Sequence, residues 1–218
     1  YSGIAPGCNL IMVKVLDRKG NGYSSDVLAG ISWVLERKEQ LGIRILNISV
    51  GACSKRGMSE NSALVKGVNR AWDAGLVVVV AAGNNGPRTM SITTPGISRK
   101  VITVGCSDDD REVLVGGNRM VDYSGRGPTA ACICKPDLVA PGCSVVSCSS
   151  RADKYTIKSG TSMSTPIVSG AVALLLERFP DMSNKDVKLR LRESSVDIGL
   201  PRNQQGWGLL DVGKMLER

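Results

Sequence analysis

The chain has 218 residues, of which 42% are hydrophobic and 22% are charged, and its formal net charge at pH 7 is +8. These values exclude a disordered chain and a coiled coil, and the longest apolar runs fall far short of the roughly 20 residues that span a bilayer. The chain contains no histidine, which excludes a histidine general base, metal ligand or pH switch within these residues.

The chain begins with alternating strand and helix patterns. Short apolar runs with β-branched residues predict strands, and apolar residues at helical spacing predict the helices between them. The predicted strands cover residues 9–16, 43–50, 76–82 and 101–105. Ser24 or Ser25 caps the first helix, which ends before Gly42, and the second helix begins at Ser59 and ends before Gly75.

The second half of the chain predicts short strands at residues 137–140 and 144–147, followed by two helices. One helix, residues 162–176, is apolar nearly all round and is therefore buried, with Pro166 near its first turn. The other follows a capping box at Ser183. Repeated strand–helix–strand units predict an α/β fold with a mainly parallel sheet and helices on both faces.

The basic residues are scattered among acidic ones and form no block of like charges, and few aromatic residues are available to stack on bases. We therefore expect neither a nucleic acid nor a membrane as partner. Seven cysteines cannot all pair within the chain, and none has the CxxC spacing typical of zinc sites. They are interpreted as small buried apolar side chains in a reducing compartment, with no metal site.

A turn containing Gly160 leads into the buried helix, in the segment GTSMSTP at residues 160–166. A serine at the start of that helix, Ser162, places its hydroxyl where free backbone N–H groups stabilise an oxyanion. The alternative is that Ser162 or Thr161 is simply the helix N-cap. The G-x-S-x-G motif of α/β-hydrolases is absent.

Asn84 follows the most buried predicted strand in the segment AAGN at residues 81–84. Ligands of parallel sheets bind at the carboxyl ends of strands, where an asparagine side chain can donate to developing negative charge. The alternative is an ordinary Asn-Gly turn. The segment NISVG at residues 47–51 ends the preceding strand in the same way.

These segments together resemble the subtilisin-like serine proteases, the subtilases. Residues 160–166 match the nucleophile signature of that family, with Ser164 where alanine is usual, and residues 81–84 match its oxyanion-asparagine segment. Supporting matches occur in the family's order over essentially the whole chain. They lie at residues 3–6, 13–16, 47–51, 101–105, 123–128 and 135–142. The tail NQQGWG at residues 203–208 is most similar to the bacterial intracellular branch.

The resemblance implies a three-layer subtilisin-like α/β fold and serine endopeptidase chemistry. Ser162 would be the nucleophile, and Asn84 would stabilise the oxyanion together with the Ser162 N–H. The walls of the substrate cleft, which would pair with substrate backbone as an added strand, would be Ser49, Val50, Gly51, Ala81, Ala82 and Gly83. The partner would be a peptide or protein. No cofactor is expected within these residues, whereas calcium is possible in a full-length protein, because the calcium loop of many relatives would lie largely upstream of residue 1.

The family's general base is a histidine oriented by an aspartate, and neither motif occurs here. We therefore expect residues 1–218 to be the C-terminal two-thirds of a catalytic domain, with a fold incomplete at its N-terminus and nearly inactive alone. In the family the aspartate strand lies between the strands matching residues 9–16 and 44–50. Without it, the chain should be unstable, or those two strands should pair directly.

The missing motifs allow two interpretations of the chain. The chain is either part of an active subtilase or a non-catalytic pseudoprotease that acts as a binding or regulatory module. The coding sequence upstream of residue 1 distinguishes them, because an active protease needs the aspartate and histidine motifs there. We expect a cytoplasmic location, with secretion as the alternative, and the oligomeric state is left open.

Overall fold

In the computed structural model, which describes residues 2–52, 60–149 and 154–217, four parallel strands form the central sheet. The strands in chain order are β1 (Ile45–Ile48), β2 (Val77–Ala81), β3 (Ile102–Cys106), β4 (Val113–Val115), β5 (Asn118–Met120), β6 (Leu138–Ala140), β7 (Val145–Cys148) and β8 (Tyr155–Lys158). The central sheet has the order β1-β2-β3-β6, and the other strands form the antiparallel hairpins β4–β5 and β7–β8.

The helices cover this sheet in a three-layer α/β arrangement. They are α1 (Ser24–Leu41), α2 (Ala63–Asp73), α3 (Thr161–Arg178), α4 (Asn184–Ser194), α5 (Arg202–Gln205) and α6 (Val212–Leu216). Helix α1 packs on α2, whereas α3 packs along all four strands of the central sheet and against α6. Within the described residues, no helix is long and apolar enough to cross a membrane.

The valine-rich run predicted as a doubly buried strand is the centre of the fold. All five residues of β2 are buried, and β2 pairs with β1 on one side and β3 on the other. Val168, Ala171, Val172 and Leu175 of α3 are completely buried on the sheet. Helix α3 is apolar nearly all round, as predicted, but it is buried mainly on the side that packs on the sheet, whereas Pro166 and Glu177 are exposed.

The helix ends agree with the predicted signals in part. Gly42 ends α1 in the left-handed region at φ +61°, and Ser183 forms the capping box of α4. Tyr23, rather than Ser24 or Ser25, is the N-cap of α1. The side chain of Ser62 accepts a hydrogen bond from Val65 N at the start of α2, whereas Ser59 lies outside the described residues.

The strand predicted over residues 9–16 is wrong, and so is its direct pairing with β1. These residues form no strand, and Leu10 and Met12 are 81% and 88% exposed. The segment instead lies beside α1, where Val13 and Val15 approach Gly30. A cleft of about 340 Å³ separates residues 12–16 from residues 46–50. Because the cleft keeps the apolar run away from the free edge of β1, the run pairs with no strand among the described residues and its strand propensity is not realised.

The interpretation of the cysteines as buried side chains holds for only two of those described. Cys106 and Cys143 are buried, whereas Cys8, Cys132, Cys134 and Cys148 are exposed, and all six are free thiols. Cys53 lies outside the described residues. Since a free cysteine is found in the interior more often than most residue types, the four exposed thiols depart from the usual pattern.

A buried ion pair lies where β3 and β6 begin. The side chain of Lys135 donates to Asp137 Oδ2 at 2.5 Å and to the carbonyl oxygen of Val101 at 3.0 Å. Thr103 N also donates to Asp137 Oδ2, at 2.7 Å, which ties the two strands together. Burial lowers the pKa of Lys135 to about 8, because the loss of hydration penalises the ammonium more than Asp137 favours it.

Candidate active site

Ser162 is the second residue of α3 and follows a sharp glycine turn. Gly160 is the N-cap of this helix, with φ +139°, and its N–H donates to the carbonyl oxygen of Gly142 at 2.9 Å. Neither Thr161 nor Ser162 is the N-cap, so the alternative interpretation of this motif as a simple capping sequence is wrong. The turn instead presents Ser162, half-buried, at the amino end of a long buried helix.

Asn84 is joined to this turn through Thr161. The side-chain oxygen of Asn84 accepts from Thr161 N at 2.9 Å and from Thr161 Oγ1 at 3.0 Å. Gly83 N donates in turn to Thr161 Oγ1 at 3.1 Å. Because Oδ1 of Asn84 is occupied, its Nδ2 is directed elsewhere, and it lies 3.2 Å from the point that a Cβ on Gly160 would take. The structure thus brings Asn84 and the Ser162 turn together, as the sequence predicts.

The first turn of α3 leaves one N–H for a ligand. Thr161 N donates to Asn84 Oδ1, and Met163 N donates to Gly160 O at 2.8 Å. Ser162 N has no acceptor among the described residues, as is usual for the first N–H groups of a helix. Ser162 N and Asn84 Nδ2 are therefore the two donors available at this turn, and a pair of such donors is the arrangement that stabilises an oxyanion.

The hydroxyl group of Ser162 donates a hydrogen bond to the carbonyl oxygen of Ser49 at 2.6 Å. A peptide carbonyl fixes the orientation of the hydroxyl but takes no proton at ordinary pH, so it cannot act as a general base. The arrangement positions Ser162 and does not activate it.

The predicted cleft walls lie at the carboxyl ends of β1 and β2. Residues 49–51 directly follow β1, residues 82 and 83 follow β2, and these two strands are neighbours in the sheet. Thr93 lies between the two walls. A Cβ added to Gly51 would come within 2.5 Å of Thr93 Oγ1, and one added to Gly83 within 2.4 Å of Thr93 Cγ2. Both glycines are therefore needed to seat this threonine.

The two walls differ in the backbone groups that they can offer to a ligand. Ala82 N donates to Val104 O, and Gly83 N donates to Thr161 Oγ1. The carbonyl groups of the same two residues accept from Thr93 N and Gly125 N. Because the N–H and carbonyl groups of Ala82 and Gly83 are all used within the chain, these two residues offer no free backbone group for pairing with an added strand.

Comparison with known proteins connects this geometry to a family. The model of the Subtilase family matches residues 1–208. The chain belongs to the subtilase family.

Its subtilase relatives include the serine protease AprX of Bacillus subtilis, which is 39% identical over 212 residues. That match covers 89% of this chain but 48% of AprX, so the chain spans about half the length of this relative. Subtilisin DY of Bacillus licheniformis is 34% identical, with 96% of this chain and 69% of the relative covered. Among solved structures, sphericase has a TM-score of 0.79 and 31% identity, with 95% of this chain and 70% of sphericase covered.

Two residues of this subtilase site were not predicted from the sequence. Thr161 lies within the nucleophile segment, and its position next to Ser162 was a signal that it could contact Asn84. Thr93 gave no comparable signal, because it joins the walls through contacts with glycines that are distant in the chain. Such contacts become visible only in three dimensions.

Proposed function

We propose that this chain supplies the nucleophile and the oxyanion-binding groups of a serine endopeptidase. Ser162 Oγ attacks the scissile carbonyl carbon while Asn84 Nδ2 and Ser162 N donate to the oxyanion; the C–N bond then breaks, the acyl group stays on Ser162 as an acyl-enzyme, and the amine leaves with the serine proton, which a general base carries to it. The substrate is a peptide or protein, and its extended backbone pairs with residues 49–51. The observation that carries the proposal is the double hydrogen bond from Thr161 to Asn84 Oδ1, which leaves Asn84 Nδ2 for a ligand.

The chemistry of the proposal is incomplete within these residues. A serine hydroxyl needs a base, and the histidine that plays this role in subtilases does not occur among the 218 residues. Acyl transfer from a serine to water needs no cofactor, and none is part of the proposal. The chain by itself should therefore hydrolyse peptides only at the residual level left when a triad member is removed, about 10³–10⁴ over water.

Residual activity of this kind has a distinctive dependence on the two site residues. Triad members act as a unit, so once the base is absent the removal of the serine costs little more. Removal of the asparagine still matters, because the oxyanion-binding groups supply the remaining rate. In a subtilisin the loss of this asparagine lowers turnover by about 10²–10³. The residual rate here should thus depend on Asn84 and hardly at all on Ser162.

The experiment compares the chain with its Ser162→Ala and Asn84→Asp variants on an activated peptide ester. Asn84→Asp keeps an oxygen for Thr161 but loses the Nδ2 donors, so it separates oxyanion binding from local folding. We expect Ser162→Ala to retain most of the residual rate and Asn84→Asp to lose most of it. Equal rates for all three proteins would contradict oxyanion binding by Asn84. Robust labelling of Ser162 by a fluorophosphonate would refute the expected near-inactivity.

A non-catalytic binding module is the second candidate, and the bond from Ser162 Oγ to Ser49 O favours it. In that case the chain binds extended peptides between its walls but gives no hydrolysis above the uncatalysed rate. Binding of an uncleavable peptide with no Asn84-dependent rate would support this candidate over the first.

We further propose a cytoplasmic location, supported by the six free thiols among the described residues, since reducing compartments preserve thiols. Fractionation of cells, with the thiols alkylated before lysis, tests this. Recovery of the protein outside the cytoplasm would contradict it.

A further inference from the structure

Two buried cysteines and an aspartate converge behind the nucleophile turn. Cys106 is the last residue of β3, Asp108 lies two residues further on, and Cys143 follows β6, the neighbour of β3 in the sheet. The two sulfur atoms and a carboxylate oxygen of Asp108 all lie within 4.8 Å of one another. The fold therefore joins three potential metal ligands from two chain segments that are distant in sequence.

The separations suit a single shared ion. Cys106 Sγ lies 3.1 Å from Asp108 Oδ1, and Tyr123 OH lies 3.1 Å from Cys106 Sγ and 3.3 Å from Cys143 Sγ. Zinc binds thiolate sulfur at about 2.3 Å and carboxylate oxygen at about 2.0–2.2 Å, so two such ligands on a tetrahedral ion are about 3.5 Å apart. The ligand atoms are thus close to the required spacing without rearrangement of the backbone.

A buried hydroxyl group without a partner lies at the same place. Ser164 is fully buried, and its Oγ has no hydrogen-bond partner among the described residues. Ser164 Oγ and Cys106 Sγ both lie within 2.8 Å of the point that a Cβ on Gly142 would take. An unsatisfied polar atom in the interior is costly and uncommon. Its position near Cys106 Sγ indicates that this place is suited to a polar occupant.

We propose that Cys106, Cys143 and Asp108 bind a thiophilic divalent ion, with zinc as the representative probe. Two thiolates and a carboxylate are ligands that zinc accepts, and a hydroxyl or water oxygen completes the tetrahedron. The binding step balances as one Zn²⁺ replacing two thiol protons, which are released to solvent. The side chain of Asp108 is 28% exposed and provides the route for the ion.

The ion would brace the nucleophile turn. Asp108 Oδ1 already accepts from Gly142 N at 2.7 Å and from Cys143 N at 3.1 Å. Gly142 O accepts in turn from Gly160 N, at the N-cap of α3. Cross-linking Cys106 to Cys143 through an ion would therefore hold in place the segment around Gly142, to which the Ser162 turn is hydrogen-bonded. The site is structural and takes no part in the acyl-transfer step.

The test titrates the reduced, metal-free chain with Zn²⁺ in competition with a chromophoric chelator, and with Cd²⁺ to detect thiolate-to-metal absorption. We expect one equivalent to bind, the melting temperature to rise, and Cys143→Ala to weaken binding at least about 100-fold. The matched control is the double variant Cys132→Ser/Cys134→Ser, which removes the exposed pair and should bind as the wild type does.

If Cys143→Ala does not fold, two further measurements decide the question on folded protein. Asp108→Asn, at a partly exposed position, should weaken binding, and Zn²⁺ should protect Cys106 and Cys143 of the unaltered chain from alkylation, as mapped by mass spectrometry. Absence of stoichiometric binding, or its loss in the Cys132/Cys134 variant, would overturn the site. A Cys106–Cys143 disulfide in freshly purified protein would overturn it too.

Discussion

Thr161 holds Asn84 with two hydrogen bonds, one from its backbone N–H and one from its hydroxyl, while the same hydroxyl accepts from Gly83 N. One buried side chain thus connects the amino end of α3 to the loop that follows β2. The orientation of Asn84 depends on a residue that touches no substrate, and Thr161 is therefore a positioning residue for the proposed oxyanion-binding pair.

The first prediction concerns this hydroxyl group. Thr161→Val keeps the shape of the side chain but removes the only partner that Gly83 N has among the described residues and one of the two partners of Asn84 Oδ1, in a half-buried place. The free energy of unfolding should fall by about 1–3 kcal/mol. Thr161→Ser retains the hydroxyl and should lose less. Chemical denaturation measures both, and no loss in Thr161→Val, or a larger loss in Thr161→Ser, would contradict the role of the hydroxyl group.

The second prediction concerns the free side of β1. Val77 N donates to Arg44 O. Because N–H groups alternate in direction along a parallel strand, those of Leu46 and Ile48 face β2, whereas that of Asn47 faces the cleft between β1 and residues 12–16. Asn47 should exchange its amide hydrogen about 100-fold faster than Leu46 and Ile48. Exchange measured by NMR checks this. Uniform protection along β1 would mean that another strand covers it.

The third prediction concerns the packing of α3 on the sheet. Leu175 is completely buried, and Leu175→Ala leaves a cavity between α3 and the strands, which should lower the free energy of unfolding by about 2–5 kcal/mol. The control is Leu189→Ala on α4, where the side chain is 53% exposed and the change should stay within about 0.5 kcal/mol. Similar losses at the two sites would contradict the burial of α3.

The fourth prediction concerns pH and the buried Lys135. Its pKa of about 8 in the folded chain lies below the ordinary value of 10.5, so between these values the unfolded chain binds more protons. The contribution of Lys135 to the free energy of unfolding should therefore rise with pH in this window, by an amount on the order of 2 kcal/mol, while burial, which raises the pKa of the Cys106 and Cys143 thiols, acts in the opposite direction above about pH 9. Lys135→Met should remove the lysine contribution and leave that of the thiols, because no lysine proton is then exchanged on unfolding, so its profile should lack the rise that Lys135 adds to the wild type. Denaturation from pH 7.5 to 10.5 measures the difference, and parallel profiles would refute it.

Much of the fold could be predicted from local patterns. The strands β1, β2 and β3 and the helix α3 correspond to long apolar runs or strongly periodic segments, so their existence was clear although their ends differ by one or two residues. The hairpin β4–β5 was missed because each strand has only three residues. The strand predicted over residues 9–16 was wrong because strand formation requires a neighbour, and propensity alone does not supply one.

The main residues of the candidate active site could be predicted from the sequence, whereas the proposed metal site could not. Ser162 and Asn84 were identified from short motifs, and the structure places both at the carboxyl edge of the sheet through the Thr161 link. The cluster of Cys106, Asp108 and Cys143 was not predicted, since its spacing in sequence resembles no metal motif. Ligands from neighbouring parallel strands meet through the sheet register, which single-sequence patterns do not encode.

The seat of Thr93 between Gly51 and Gly83 has a consequence for how the cleft can diversify. The same γ atoms of one threonine limit what can replace either glycine, and Gly83 also needs its φ of +95°. A larger residue on one wall therefore demands a smaller one at position 93, which in turn loosens the opposite wall. Substitutions at these three positions should therefore be energetically coupled, so that a change of side-chain preference at this cleft requires a linked set of substitutions whose effects are not additive.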